Sequence, residues 1–420
     1  MRRTSRRAVI AGGGALALAG IGALALRPAK GGGMHDAYFS ALAAALARAG
    51  LARPVLVIDR ARLSANIAAI RGSTDAAKLP LRVVAKSLPA PRLLEAVLGG
   101  MGSDRLMAFS AEMLLQLVPL HPAVNILMGK PLPVSEFARA VAALGPEAAG
   151  RIEWLIDTPE RLREYAAAAS AQDVSLAASF EIDVGFHRGG FADPGALFAA
   201  VREAQSAGLR VAGLMGYDPH VPKVPRPDSA FASSQAAYRA AIAALREAGI
   251  ADPSALTLNG AGSPTFRRHC RGTAANEVSV GSAFVKPGDF DLPELSDLVP
   301  AAFIAAPVLK RSDALALPGI EPLAGPMRWF DRNTQRGFFI HGGHWLAQPH
   351  SPPGLQYSKL FGRSSNQELL TGSDRIDLKP GDSVFFRPDQ SEALFLQFGE
   401  IAVYDRGEIA EMWPTLPISA

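Results

Sequence analysis

From residue 54 onward the chain alternates two patterns. Short apolar runs rich in β-branched residues recur as PVLVID (54–59), LRVVAK (81–86), RLMAFS (105–110), VNILMG (124–129), IEWLID (152–157), SLAASFEIDVG (175–185), LRVAGLMGY (209–217), ALTLNG (255–260) and EVSVGSAFV (277–285). Between them lie stretches with helical spacing, such as RARLSANIAAIRG, TPERLREYAAAAS and ADPGALFAAVREAQSAG. Several open on Thr, Asp or Pro and close on Gly, as helix boundaries do. Continuous apolar strands separated by amphipathic helices predict a parallel sheet buried on both faces. Nine runs are one too many for a (β/α)8 barrel. Either one strand lies outside the barrel or the sheet is open and doubly wound. No G-x-G-x-x-G follows an early strand, which disfavours a dinucleotide-binding sheet.

The texture changes after Pro287. Pro, Gly and polar residues dominate, and the runs RGFFIHGGHW (336–345), DSVFFRP (382–388), ALFLQFG (393–399) and IAVYDRG (401–407) follow without intervening helices. Asp405-Arg406-Gly407 is a turn signal between short strands. Residues 300–420 are therefore expected to form a small antiparallel β domain, and residues 50–299 the larger α/β domain.

The amino terminus has a third texture. A basic start (Arg2, Arg3, Arg6, Arg7) is followed by an uncharged Ala/Gly/Leu-rich stretch from Ala8 to Leu26 and a Gly-rich exit. Residues 1–33 are expected to be an export signal, and Arg6-Arg7 after Ser5 resembles the twin-arginine type. The stretch is near the length that spans a bilayer, so the product is either exported with the signal removed or held by it as an anchor. A cytoplasmic product is the alternative. The net charge of +4 comes from this region: six basic residues precede the first acidic one, Asp36, and without them 37 basic residues face 39 acidic. Charge gives no support to nucleic-acid binding. Cys270 is the single cysteine, which rules out an intrachain disulfide.

In a parallel barrel the working site gathers at the carboxyl ends of the strands. Those ends supply Lys86, then Asp183, His187 and Arg188, then Tyr217, Asp218 and His220, then Asn259 to Thr265, and last Gly281 and Ser282. NGAGSPT (259–265) and SVGSAF (279–284) offer small residues, backbone amides and hydroxyls, the groups that cradle a phosphate. A lysine facing such a cradle has a well-motivated use, a Schiff base with the aldehyde of pyridoxal phosphate. Arg188 would then face the pyridine nitrogen.

PVLVID with Asn66 downstream, LRVVAKSLPAPRLLE, EIDVGFHRGG, GLMGYDPHV, NGAGSPTF and NEVSVGSAFVKPGDF together resemble the fold type III pyridoxal phosphate enzymes. The resemblance is to the D-threonine aldolase and D-serine dehydratase branch, whose barrel is like that of alanine racemase, and it covers residues 50 to 420. It implies a (β/α)8 TIM-type barrel with a smaller carboxyl-terminal antiparallel β domain, with the strand at 54–59 pairing with that domain. It also implies Lys86 as the Schiff-base lysine and catalytic base, Arg188 and Tyr217 as cofactor contacts, and His220 as a catalytic histidine. Gly260, Gly262, Ser263 and Thr265 correspond to the first phosphate loop, and Gly281 with Ser282 to the second. The implied activity is a pyridoxal phosphate-dependent lyase acting on a small D-amino acid, by β-elimination or by retro-aldol cleavage. An amino-acid racemase and a carrier that binds the cofactor without turnover are the alternatives. A homodimer is implied by the resemblance alone.

Two departures stand out. Relatives that use a divalent metal hold it with a histidine and, two residues on, a cysteine or aspartate, whereas RPDQSEAL places Gln390 and Glu392 there; Gln is a poor zinc ligand. Glu392, Asp389 and His341 or His344 are left as candidates for a harder ion. Ala283 stands where relatives often carry a tyrosine. Asp183 is expected to be a partner of His187 or Arg188, and His269-Cys270, flanked by arginines, to lie on a surface helix.

Overall fold

The computed structural model describes residues 27–316, 318–319 and 321–417; most of the expected export segment lies outside the described residues. Among the described residues no helix is long and apolar enough to cross a membrane. The chain divides into two compact units.

The larger unit comprises Leu56–Ala302, Pro388–Asp405 and Ala410–Ala420. Its first strand, β1 (Val55–Asp59), pairs in parallel with Glu400–Asp405 and takes no part in the barrel. That accounts for the ninth run. The remaining eight, β2 (Leu81–Val84), β3 (Arg105–Ala108), β4 (Asn125–Met128), β5 (Glu153–Ile156), β6 (Ala177–Glu181), β7 (Arg210–Met215), β8 (Thr257–Gly260) and β9 (Glu277–Val280), are all parallel and close when β9 pairs with β2. The barrel is as expected. Helix starts follow the sequence signals: Asp59, Ser110, Thr158 and Asp193 each accept a first-turn amide from the residue three positions on. Proline occupies the first turn of the helices Pro91–Met101, Pro159–Ser170, Pro194–Ser206 and Pro227–Glu247.

Strand periodicity assigns residues to layers inside the barrel. Arg82 on β2 and Glu277 on β9 form a fully buried ion pair, Nε to Oε1 2.6 Å, and Arg82 also donates to the carbonyls of Leu106 and Asn125. Arg105 and Asn259 donate to the same carboxylate. Burial by itself raises the Glu277 carboxyl, but Arg82 and the other donors outweigh it and hold the group below its usual range. One layer further along, Val84 and Ser279 face the upper end of the barrel, and one step beyond them come Lys86 and Gly281.

The second unit comprises Phe303–Arg387 with residues up to Val55 and Arg406–Ile409. Its strands β10 (Ala302–Ser312), β11 (Arg336–His341), β12 (Ala347–Ser351), β13 (Gln356–Tyr357), β14 (Gln367–Gly372) and β15 (Ser383–Pro388) form an antiparallel arrangement in which β11 pairs with β10 and β14, and β10 with β15. One expected strand is absent. Residues 393–399 instead hold the 3-10 turn Phe395–Phe398, closed by Gly399 at φ 74°. A continuous apolar run of this length reads equally as a strand or as a buried turn.

Candidate active site

β2 ends at Val84 and the chain turns at once through the 3-10 turn Ala85–Ser87. Pro89 and the helix start at Pro91 prevent the strand from continuing, so Lys86 is delivered at the barrel mouth. It borders a cavity of about 410 Å³ built wholly from the larger unit. Its Nζ lies 4.6 Å from the centroid of the Phe109 ring. Burial lowers the Lys86 pKa from its ordinary value; Glu392 opposes the shift, while Arg188 and Lys130 add to it. The ammonium form is thus disfavoured, and a neutral amine at this position is the form that can act as a nucleophile or a base.

Across the cavity the Arg188 guanidinium carbon lies over two aromatic rings, 5.1 Å from the Tyr217 centroid and 5.2 Å from that of Phe186. Its Nη2 is 3.6 Å from Glu181 Oε1. Burial pushes the Glu181 carboxyl up, against the pull of Arg188. Burial likewise pushes the Tyr217 phenol up to about 12, although Arg188 opposes this.

The two small-residue bends lie side by side. Ser263 Oγ accepts the amides of Gly281 and Ala283, both at 3.1 Å, which ties the loop after β8 to the one after β9. A Cβ on Gly262 would fall 2.5 Å from the Tyr217 ring, and one on Gly281 2.6 Å from Ser87 Oγ. Neither position has room for a side chain, so backbone is presented at the cavity wall. Beneath the first bend a buried network holds the loop: Thr265 Oγ1 donates to Asp218 at 2.6 Å, and His269 Nε2 lies 3.0 Å from the other Asp218 oxygen. This corrects the expectation of a surface position for His269, which is only 2% exposed. The arginines beside it reach Asp228, Glu294 and Asp297 on the outside, so their charge marks the surface while the ring turns inward.

Of the residues singled out in the sequence, Lys86, Arg188, Tyr217, Gly262, Ser263, Gly281 and Ser282 border this cavity. Gly260 and Thr265 are buried and do not border it. Nor does His220, whose ring stacks on Phe186 at 6.0 Å and whose buried Nδ1 has no hydrogen-bond partner among the described residues. Asp183 partners His187, Oδ2 to Nδ1 2.7 Å, and receives the amides of Gly185 and His187. It shapes the loop and does not contact Arg188 through a hydrogen bond among the described residues.

Strand-end position alone did not single out Ser87, Phe109, Glu181 or the inward role of Glu392. A signal for Glu181 exists, since it lies at the end of β6 two residues before Asp183. Glu392 has none, because its placement depends on a segment distant in sequence. Its Oε1 accepts the hydroxyls of Ser87 at 2.7 Å and Ser282 at 3.1 Å.

These residues fit pyridoxal phosphate. A half-buried lysine with a depressed pKa meets the requirement for the aldehyde, an arginine beside two aromatic rings lines the same cavity, and the glycine-lined bends bring backbone and the Ser263 hydroxyl to the cavity wall, where they would hold a phosphate. The volume lies within the usual ~300–1,000 Å³ of small-molecule sites. Gln390 and Glu392 do not fit a metal: Gln390 is exposed and donates to Asp289 at 2.8 Å, while Glu392 is taken up by Ser87 and Ser282. Among the described residues no three His, Cys, Asp or Glu side chains are gathered as a metal site requires. His341 and His344 are exposed on the β unit.

The family model described as "Alanine racemase, N-terminal domain" matches residues 58–287. No curated protein matches the sequence. Among solved structures, D-threonine aldolase from Filomicrobium marinum is 22% identical with a TM-score of 0.69, covering 86% of this chain and 94% of that one. D-threo-3-hydroxyaspartate dehydratase from Delftia sp. HT23 is 18% identical with a TM-score of 0.69, covering 87% and 98%. An alanine racemase from Bacillus anthracis is 13% identical with a TM-score of 0.66, covering 86% and 97%. At these identities the likeness is one of fold.

Proposed function

We propose that this chain, which belongs to the alanine racemase N-terminal-domain family of fold type III pyridoxal phosphate enzymes, is a lyase acting on a small D-amino acid with a β-hydroxyl group. The observation that carries the reading is the pairing of Lys86 with Arg188 across one cavity whose floor is the Gly262 and Gly281 bends. Bound pyridoxal phosphate supplies the electron sink that makes a bond at the amino acid's α-carbon breakable. Lys86, Arg188, Ser263 and the backbone of the two bends would hold it.

Lys86 Nζ is the base. Its burial favours the neutral amine, which can take the α-proton and return it, while Glu392 on the same wall stabilises the ammonium that results. Tyr217 is a poor second base, since a phenol pushed up to about 12 is almost wholly protonated at neutral pH. Tyr217 therefore does not supply the second, opposing base that racemisation requires, which favours elimination or cleavage. Phe109 covers one side of Lys86 with an apolar ring.

Incubating the cofactor-loaded protein with D-serine, D-threonine and D-alanine separates the outcomes. Pyruvate or 2-oxobutanoate signals dehydration, glycine with acetaldehyde signals aldol cleavage, and L-alanine signals a racemase. If Lys86→Ala retains the visible absorbance of the bound cofactor unchanged, the assignment of the lysine is wrong and the reading with it.

A further inference from the structure

The β unit carries a second cavity, of about 560 Å³, whose walls include Pro28, Leu315, Pro326, Met327, Phe330 and Leu360. The surrounding surface is unusually apolar: Leu323 is 54% exposed, Trp329 57%, Leu360 58% and Phe361 41%. Single exposed apolar side chains need no explanation, but a set of them grouped around an apolar cavity does. Arg27, Arg328 and Lys359 stand among them.

The chain reaches this face from a particular direction. Ala8 to Leu26 is a run of 19 residues without a charge, and the next residue, Arg27, is fixed on the face itself. Arg27 Nε donates to the Phe330 carbonyl at 3.1 Å, its Nη2 to the Trp329 carbonyl, and its guanidinium lies 4.9 Å from the Trp329 ring centroid. Pro28 already belongs to the cavity wall. A run close to the ~20 apolar residues that cross a hydrocarbon layer thus ends at the spot where the unit exposes its apolar side chains.

We propose that this face docks on a lipid bilayer, with the Ala8–Leu26 run retained in that bilayer. The mixture of groups suits an interface: Trp and Phe favour the headgroup level, Leu and Met the acyl boundary, and Arg and Lys reach lipid phosphates over their apolar stems. A second copy of the chain would cover the apolar side chains but would leave unexplained the run that ends among them. The proposal does not depend on the chemistry assigned to Lys86.

Trp329 reports on it directly. The other three tryptophans are buried, Trp154 at 0%, Trp345 at 9% and Trp413 at 4% exposure. The full chain is mixed with vesicles of phosphatidylcholine and phosphatidylglycerol carrying brominated acyl chains, which quench only tryptophans at the bilayer. The expected result is loss of the Trp329 emission, with Trp329→Phe floating equally with the vesicles and showing no bromine-dependent loss. A chain that floats with undiminished Trp329 emission overturns the proposal, because the run alone then anchors it. It is also overturned if the part of the emission that Trp329→Phe removes is already blue-shifted without vesicles. A shift that grows with protein concentration then assigns the face to a second copy, and a concentration-independent one to the chain's own apolar run.

Discussion

Replacing Gly281 by alanine adds one methyl group where the loop after β9 presses against the turn that carries Lys86. The new Cβ would lie 2.6 Å from Ser87 Oγ, 2.8 Å from Ser87 Cβ and 2.8 Å from Val84 Cβ. A rotation of the Ser87 hydroxyl relieves the first contact. The other two are to atoms fixed on the backbone, so the turn Ala85–Ser87 itself must move, and Lys86 lies between the two residues that are struck. Overpacking of this kind costs about 1–3 kcal/mol. If the displaced turn bears that cost when the cofactor is held, affinity for pyridoxal phosphate falls roughly 5- to 150-fold, at about 1.4 kcal/mol per factor of ten. Gly281 has φ −138°, so space and not a left-handed backbone is the reason for glycine. Gly99, inside the helix Pro91–Met101 with nothing within 4 Å of where an added methyl would sit, is the control. Gly99→Ala should raise stability by about 0.5–1 kcal/mol and leave cofactor binding unchanged. Both variants are titrated with pyridoxal phosphate by visible absorbance and melted by circular dichroism. A folded Gly281→Ala protein with wild-type cofactor affinity would refute the steric reasoning.

Three further outcomes follow from the same geometry. Glu277→Gln leaves Arg82 buried without its counter-charge and should cost about 3–5 kcal/mol in chemical denaturation. Because the folded Glu277 carboxyl titrates below its ordinary 4.5, its contribution is complete above that pH and is lost as the pH falls beneath it, so the gap between wild type and variant should close in acid. Attachment of pyridoxal phosphate requires the neutral Lys86 amine, so its rate should rise with pH and level off below the ordinary 10.5, and Glu392→Gln should move the midpoint lower still by removing the carboxylate that favours the ammonium; a midpoint at or above 10.5 contradicts the burial seen at Lys86. His269→Ala deprives buried Asp218 of one partner and should cost about 1–3 kcal/mol, read as a lowered melting temperature.

Much of the barrel was legible along the chain. The eight parallel strands and their helix caps repeat a local pattern, and local patterns survive translation into structure because they are enforced by backbone hydrogen bonding and burial at every repeat. Strand-end position picked out Lys86, Arg188, Tyr217, Gly262, Ser263, Gly281 and Ser282, because a parallel barrel brings all its carboxyl ends to one side. It failed where position along the strand is not enough. His220 sits at a strand end yet stacks behind Phe186, and His269, read from its arginine neighbours as surface, is a buried partner of Asp218. The run at 393–399 was apolar in a way that suits a strand, and it folded as a 3-10 turn that carries Glu392's neighbourhood to the cavity.

The barrel, the lysine at its mouth and the two glycine bends are written in the chain itself, since each depends on residues close together in sequence and on a periodicity that one strand can display alone. Which polar groups complete the site is a matter of how the chain closes on itself. Glu392 meets Ser87 and Ser282 across more than a hundred residues of chain, and Arg82 meets Glu277 across nearly two hundred. Such pairs leave no periodic trace, because closure of the barrel and the return of the carboxyl-terminal segment bring together groups whose spacing along the chain is arbitrary.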